Sequence, residues 1–269
     1  MKNTITALWV SVGLLAIITI AFLMRHRILR YPDRQISRLD RMDDAKLQSA
    51  WDEANNYNNS ANSYLKTGEY EEAKKMYRKS ICLLESINDE IHAATGYNNL
   101  AGVYYAQGQL KQAESMYRNA LAIHEKLDLR REMAQDYVWL ATIYMDKNNL
   151  DKSEKLVYKG IEYSEQVGAN AVMADGYGNL ASVCLMRGQL IRAEELAHKA
   201  LALHQILVNE IGVANQHATL GAIAEQRRNW NVAKTHWETA RDLYGKNSVQ
   251  YRVRQMEGWL SELPHKEEK

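Results

Sequence analysis

Residues 177–201 read YGNLASVCLMRGQLIRAEELAHKAL, and residues 97–121 read YNNLAGVYYAQGQLKQAESMYRNAL. The same small, large and turn-forming residues stand at the same offsets in both stretches. Extending the alignment in both directions gives a period of 40 residues and five copies, at about 54–93, 94–133, 134–173, 174–213 and 214–245. The chain therefore carries an internal repeat over residues 51–245, and this repeat decides the fold class.

Four columns of the repeat hold small residues in every copy. They are Ala54, Ala94, Ala134, Ala174 and Ala214; Ala61, Ala101, Ala141, Ala181 and Gly221; Ala73, Ala113, Ser153, Ala193 and Ala233; and Ser80, Ala120, Gly160, Ala200 and Ala240. Within one copy, positions 54, 57, 61 and 64 share one face of a first helix, and 73, 77, 80, 81 and 84 share one face of a second. Each copy is predicted to be a helical hairpin whose apolar face needs a neighbouring copy to cover it.

A turn column separates the two helices of each copy. It holds Gly68, Gly108, Asn148, Gly188 and Arg228. Glycine and asparagine accept a left-handed backbone at little cost, so this column is expected to stop the first helix. Arg228 is the exception, and we expect Asn229 beside it to take over the turn.

This order of small, aromatic and turn residues resembles the tetratricopeptide repeat (TPR) family, and the resemblance covers about 54–245. It implies an all-α fold, a right-handed α-solenoid of helical hairpins. The unit departs from the family pattern because it is 40 residues long, has no closing proline and places tyrosine at the family's tryptophan position. Long units with NNLA or GNLA in the first helix resemble the kinesin light chain and the Pins-type spindle-orientation adaptors, which are peptide-binding scaffolds.

The carboxyl-terminal segment 246–264 is predicted to be a capping helix. Its apolar face is expected to consist of Tyr251, Met256, Trp259, Leu260 and Leu263. Residues 265–269 are expected to be a disordered tail. At the other end, residues 25–50 are interpreted as a basic juxtamembrane segment followed by a polar linker helix over 35–50.

Residues 4–24 contain no charged side chain, and they follow a three-residue head at 1–3. As a helix they would reach about 30 Å, the thickness of the bilayer core. This run favours a transmembrane signal anchor over a cleaved signal peptide, whose apolar region is usually shorter. Arg25, Arg27, Arg30, Arg34 and Arg38 follow it, so the positive-inside rule places the repeats on the cytoplasmic side. Arg25, Arg27 and Arg30 are also candidates for contact with anionic lipid headgroups.

The concave surface of the solenoid is the candidate binding site. By the resemblance, first-helix positions that packing does not use face this groove. They are Asn55, Asn58, Asn59, Asn62, Asn98, Asn99, Tyr105, Gln135, Trp139, Thr142, Asp175, Asn179, Ser182 and Asn215. Asparagine is a poor helix former, yet its amide donates to and accepts from a peptide backbone, which favours binding of an extended peptide. The alternative is that these amides are solvated or bond to the neighbouring repeat.

Several function classes are disfavoured by what the sequence lacks. The formal net charge of +1 argues against a dedicated nucleic-acid partner. No motif for a metal site, a phosphate-cradling loop or a nucleophile–base pair is present, so we expect no enzyme activity, no cofactor and no metal. Cys82 and Cys184 lie in apolar helical patterns and are expected to be buried free thiols. Relatives that grip acidic tails carry Lys or Arg at positions occupied here by Asn58, Asn62, Asn98, Val138 and Thr142, so no carboxylate clamp is expected.

Two main hypotheses follow. In the first, the chain is a membrane-anchored scaffold that binds an extended segment of a partner protein in its groove; an import receptor is a special case of this. In the second, copies of the chain assemble with one another into a structural coat on the membrane.

Overall fold

In the computed structural model, residues 44–263 are described, and they form eleven α-helices and no strand. The helices are α1 Asp44–Thr67, α2 Tyr70–Ser86, α3 Glu90–Ala106, α4 Leu110–Lys126, α5 Arg130–Asp146, α6 Leu150–Val167, α7 Asn170–Met186, α8 Leu190–Ile206, α9 Glu210–Gln226, α10 Trp230–Lys246 and α11 Gln250–Glu262. The chain divides into two compact units, Met1–Glu53 and Ala54–Lys269. The second unit is a solenoid of helical hairpins in which successive helices pack against each other.

The ends of the chain bear on three interpretations. Residues 44–50, assigned above to a linker, form the first turns of α1, and the helix at the carboxyl end is α11. None of the helices within 44–263 is long and apolar enough to cross a membrane. The proposed anchor at 4–24, the arginines at 25, 27 and 30, and the tail at 265–269 lie outside the described residues.

Every pair of successive helices is joined by the same short link. A residue with positive φ stands at position 68 and at every twentieth position after it: Gly68, Asn88, Gly108, Asp128, Asn148, Gly168, Gly188, Val208, Arg228 and Ser248. At one such link the Gln109 N–H donates to the Tyr104 carbonyl at 2.9 Å, and the Gly108 N–H donates to the Tyr105 carbonyl at 2.8 Å. This pair of bonds is a Schellman motif, which satisfies the last carbonyls of the helix. The backbone therefore repeats every 20 residues, although the sequence repeats every 40.

The link at the fifth copy corrects one expectation. Arg228 itself has a φ of 58°, and Asn229 has a φ of −93° at the start of the next helix. The prediction that Asn229 would take over the turn was wrong. The neighbouring helices impose the left-handed conformation on Arg228 in spite of its side chain.

The small columns form the core, as the repeat predicts. Ala54, Ala94, Ala134, Ala174 and Ala214 are all fully buried. The serines in these columns are buried as well, and their hydroxyl groups find partners: Ser80 donates to the Ala54 carbonyl and Ser153 to the Ala141 carbonyl, both at 2.8 Å. Small side chains thus let the helices approach closely, and an added hydroxyl is tolerated where a carbonyl is within reach.

The one glycine in the Ala61 column has a packing reason. A Cβ placed on Gly221 would lie 2.3 Å from Nε1 of Trp237, which is far too close. Trp237 is fully buried, and its Nε1 donates to the Ala218 carbonyl at 3.2 Å. In the fifth copy, glycine replaces the alanine of this column in α9, and this leaves room for the tryptophan ring of α10.

Two expectations about single side chains were wrong. Cys184 is buried, but Cys82 is exposed because it points away from the face on which Ile81 and Leu84 pack. In α11, Met256 is fully buried and Trp259 packs on Trp237 with 5.3 Å between ring centroids. Tyr251, assigned above to the same face, is 64% exposed.

The link at Val208 leads to a stability prediction. A β-branched residue in the left-handed region is strained, and Val208 has a φ of 54° while its side chain is 82% exposed. We expect Val208→Gly to raise the free energy of unfolding by about 1 kcal/mol, because glycine removes the steric cost of that conformation. Thermal unfolding of the full chain, followed by circular dichroism, measures the effect. The matched control is Gly188→Val, which creates the same strain at an equivalent link and should lower the unfolding temperature. An unchanged unfolding temperature in both variants would contradict the account of the links.

Candidate functional site

The first helices of the later repeats surround a groove of about 540 Å³. Contacts between α5 and α7 and between α7 and α9 bring these helices side by side along its floor. The lining residues come from α3, α5, α7, α8, α9, α10 and α11. The volume lies in the range of pockets that bind small ligands or short peptide segments.

The residues of repeats three to five that were predicted from sequence line this groove. They are Gln135, Trp139, Thr142, Asp175, Asn179, Ser182 and Asn215, together with Tyr105 of repeat two. The Nδ2 group of Asn179 already bonds within the protein, because it donates to the Thr142 hydroxyl at 2.9 Å and to the Val138 carbonyl at 3.2 Å. The Ser182 hydroxyl donates to the Gly178 carbonyl within its own helix.

The remaining candidates, all asparagines of repeats one and two, lie outside this groove. They are Asn55, Asn58, Asn59, Asn62, Asn98 and Asn99. Four of them make bonds between helices: Asn99 Nδ2 donates to Asn58 Oδ1 at 3.1 Å, and the Tyr77 hydroxyl donates to Asn62 Oδ1. Asn98 Nδ2 donates to Asp136 at 2.8 Å. Asn55 and Asn59 are exposed.

Aromatic rings form much of the groove wall. Trp139 stacks on Tyr117 with 5.3 Å between ring centroids, and Tyr244 is buried with its hydroxyl donating to Asn215 Oδ1 at 2.6 Å. Burial raises the pKa of Tyr105, and a hydrogen bond to the Asp146 carboxylate raises it further. These contacts hold the rings in fixed positions, as a preformed binding surface requires.

The charged groups of the groove are unevenly placed. Asp146 and Asp175 are acidic, and Arg252 of α11 is the only Lys or Arg among the described lining residues. Arg252 donates to Gln255 at 2.9 Å and lies over the ring of Tyr244. The floor of the groove is therefore acidic, and its single lining cation stands at the carboxyl-terminal wall.

The groove also perturbs the ionisation of Asp175. Burial raises its pKa from 3.8 to about 6, although 48% of its side chain is exposed. Nε2 of His204 lies 3.7 Å from Asp175 Oδ1. Burial also lowers the pKa of His204, so at neutral pH this histidine adds no positive charge beside the carboxylate.

The groove residues that were not predicted as site residues include His204, Gln216, Tyr244, Arg252 and Trp259. Gln216 is only 4% exposed, and Oε1 of its amide has no hydrogen-bond partner within residues 44–263. Its column reads Gly96, Asp136, Gly176 and Gln216, so polar side chains alternate with glycine. This alternation was a sequence signal for a polar side chain buried at the junction between repeats.

The described residues include no group of three or more His, Cys, Asp or Glu side chains placed to hold a metal ion.

The pKa of Asp175 gives a prediction for stability. Because the folded pKa exceeds 3.8, Asp175 binds its proton more tightly in the folded chain, so stability is lost as the pH rises from 3.8 to about 6. Asp175→Asn should therefore raise the free energy of unfolding by about 1 kcal/mol at neutral pH, a value reduced for solvent screening, and by much less at about pH 4. Urea unfolding at the two pH values measures this. Asp242→Asn, at an aspartate whose side chain is 68% exposed, is the control and should have little effect. A destabilised Asp175→Asn protein at neutral pH would overturn the argument.

Comparison with solved structures confirms the solenoid fold. A Rap protein complexed with competence and sporulation factor matches with a TM-score of 0.67 and 19% identity, over 76% of this chain and 57% of that one. The Rap conjugation gene regulator of plasmid pLS20, in complex with the Phr* peptide, matches with a TM-score of 0.67 and 18% identity, over 75% and 56% of the two chains. This chain thus spans little more than half the length of either Rap protein.

A third solved structure resembles the chain along nearly all of its own length. It is a Podosopora anserina putative kinesin light chain with nearly identical TPR-like repeats, matched with a TM-score of 0.55 and 17% identity over 72% of this chain and 96% of that one. No curated protein matches the chain. The family model of the MalT-like TPR region matches residues 54–250, which is most of the chain and all five repeats. The chain therefore belongs to the MalT-like TPR region family.

Proposed function

We propose that the chain is a non-enzymatic adaptor that binds an extended peptide segment of a partner protein in the groove described above. The proposal is based on the groove itself, in which aromatic rings in fixed positions lie beside amide and hydroxyl groups. Aromatic walls supply apolar contact area, and the amides and hydroxyls pair with a peptide backbone.

The structural comparisons support the proposal at the level of the fold. The two Rap structures carry competence and sporulation factor and the Phr* peptide, respectively, so related solenoids can hold a peptide. The identities of 19% and 18% establish only a shared fold, and the ligand of this chain must come from its own residues.

The peptide is proposed to bind towards the carboxyl-terminal repeats. The lining residues run from Tyr105 to Trp259, and none of them belongs to α1 or α2. Four of the six candidate asparagines of repeats one and two bond to another helix, as Asn99 does with Asn58. These amides are therefore better explained as links between repeats than as peptide contacts.

Membrane anchoring is a second part of the proposal, and it rests on the sequence alone. The uncharged run at 4–24 is proposed to span the bilayer, Arg25, Arg27 and Arg30 to contact lipid headgroups, and the repeats to face the cytoplasm. The partner would then be assembled into a membrane-associated complex.

A blocking substitution tests the groove. Thr219 lies in the groove lining, and its hydroxyl donates to the Asn215 carbonyl one turn earlier. We expect Thr219→Tyr to reduce partner recovery from detergent-solubilised membranes at least about tenfold, because the ring occupies space that the peptide needs. Quantitative mass spectrometry of the tagged full chain and its bound proteins gives the measurement.

The control has the same substitution on another helix. Thr235 in α10 is exposed, lies outside the groove lining and donates in the same way to the Asn231 carbonyl. Thr235→Tyr should leave partner recovery unchanged. Equal recovery with both variants would show that partners do not use the groove.

The anchor is tested separately. The full chain should stay in the membrane pellet after an alkaline carbonate wash, and a variant lacking residues 4–24 should be released, because only a spanning helix resists that treatment. Protease digestion of sealed vesicles then reports the side on which the repeats lie. Release of the full chain by carbonate would contradict the anchor.

A further inference from the structure

A buried polar cluster at the junction of repeats two and three shows how this solenoid satisfies an internal acceptor. Asp136 of α5 is fully buried, and its carboxylate receives a hydrogen bond from Asn98 Nδ2 at 2.8 Å and lies 2.6 Å from His124 Nδ1. Burial raises the pKa of Asp136, and the bonds from His124 and Asn98 act in the opposite direction. Both partners come from repeat two, so the chain satisfies the Asp136 carboxylate with its own groups, and the buried atom left without a partner among residues 44–263 at this junction is Oδ1 of the donor Asn98.

The same three columns recur two repeats later with the histidine kept and the other two residues changed. His204 stands in place of His124, Gln216 in place of Asp136, and Gly178 in place of Asn98. The acceptor and the histidine are kept, but the amide donor of the earlier junction is gone. Gln216 Oε1 consequently has no hydrogen-bond partner in the described part of the chain, although Gln216 is only 4% exposed.

Gly178 also shapes the space around this acceptor. A Cβ at that position would lie 2.6 Å from Gln216 Nε2, so the glycine leaves room for the glutamine amide beside α7. Gly178 and Gln216 both line the groove. A buried amide oxygen without a partner costs free energy, so a donor from the groove would stabilise it once the Gln216 side chain turns to expose that oxygen to the groove.

A carboxylate lines the same groove. Asp175 is in α7, one turn before Gly178, and both it and His204 line the groove with Gln216. The carboxylate is 3.7 Å from a histidine that burial keeps neutral at neutral pH. An acidic group and an unpaired amide oxygen together repel carboxylates and favour a group that carries both positive charge and several N–H donors.

We propose that Asp175 and Gln216 form a subsite for the cationic side chain of a lysine or arginine in the bound peptide. The earlier junction fills the matching position with Asn98, and at this junction the ligand supplies the missing donor. This inference rests on the proposed function, and it adds the chemistry of the residue that the groove selects.

The probe is a set of synthetic nonapeptide mixtures, acetylated and amidated at their ends, in which the central residue is fixed and all other positions are randomised. The immobilised full chain in detergent is exposed to each mixture, and retained peptide is quantified. We expect the mixtures with central Lys or Arg to be retained about tenfold more than those with central norleucine or Glu, as a charge-assisted hydrogen bond in a partly buried site implies.

Two variants assign that preference to the subsite. Asp175→Asn removes the charge in a protein expected to be at least as stable, and it should reduce the preference for Lys and Arg about tenfold. Gln216→Met removes the amide oxygen while keeping a side chain of similar length, and it should also reduce the preference for Lys and Arg. Asp242→Asn, on the exposed surface of α10, is the control and should keep the full preference.

The outcomes separate this inference from the proposed function. Retention of every mixture without regard to the central residue would leave peptide binding standing and overturn the cation subsite. A preference for Lys and Arg that survives Asp175→Asn would also overturn it. Failure of the wild-type chain to retain any mixture would count against both.

Discussion

The link of two or three residues with one left-handed residue is the constraint on which the rest of the structure depends. It recurs at every twentieth residue from Gly68 to Ser248, and the same hydrogen-bond pattern closes each helix. Because every link turns the chain in the same way, all first helices reach the same side of the solenoid. The groove is a consequence of that regularity, since no single repeat could form it alone.

The columns of small, fully buried residues restrict the positions at which the repeats can differ in sequence. Ala54 and its equivalents leave no space for change, so variation is confined to positions between the columns and to compensated pairs such as Gly221 with Trp237. The two polar junctions show the functional side of this freedom. At one junction Asn98 donates a hydrogen bond to Asp136. At the other, Gly178 has no side chain to donate to Gln216, although both junctions have the same backbone.

The sequence predicts the solenoid well because its columns report burial directly. It reveals the 20-residue backbone period only in part, since Asn88, Asp128 and Gly168 accept a left-handed backbone readily but Val208 and Ser248 do not, and packing imposes the conformation there. For the groove, the predicted residues of repeats three to five line the cavity. The asparagines of repeats one and two could not be separated from them, because a helical position alone does not show which amides bond to a neighbouring repeat. Gln216 was missed because its role depends on the loss of a donor in another helix.

The most direct test of the account is a crystal structure of the full chain with the most strongly retained peptide from the central-lysine mixture. The account predicts an extended peptide lying along α5, α7 and α9, with the lysine Nζ about 3 Å from Asp175 and from Gln216 Oε1. A peptide bound on the outer surface of the second helices, or one whose lysine points away from Asp175, would contradict the central claim.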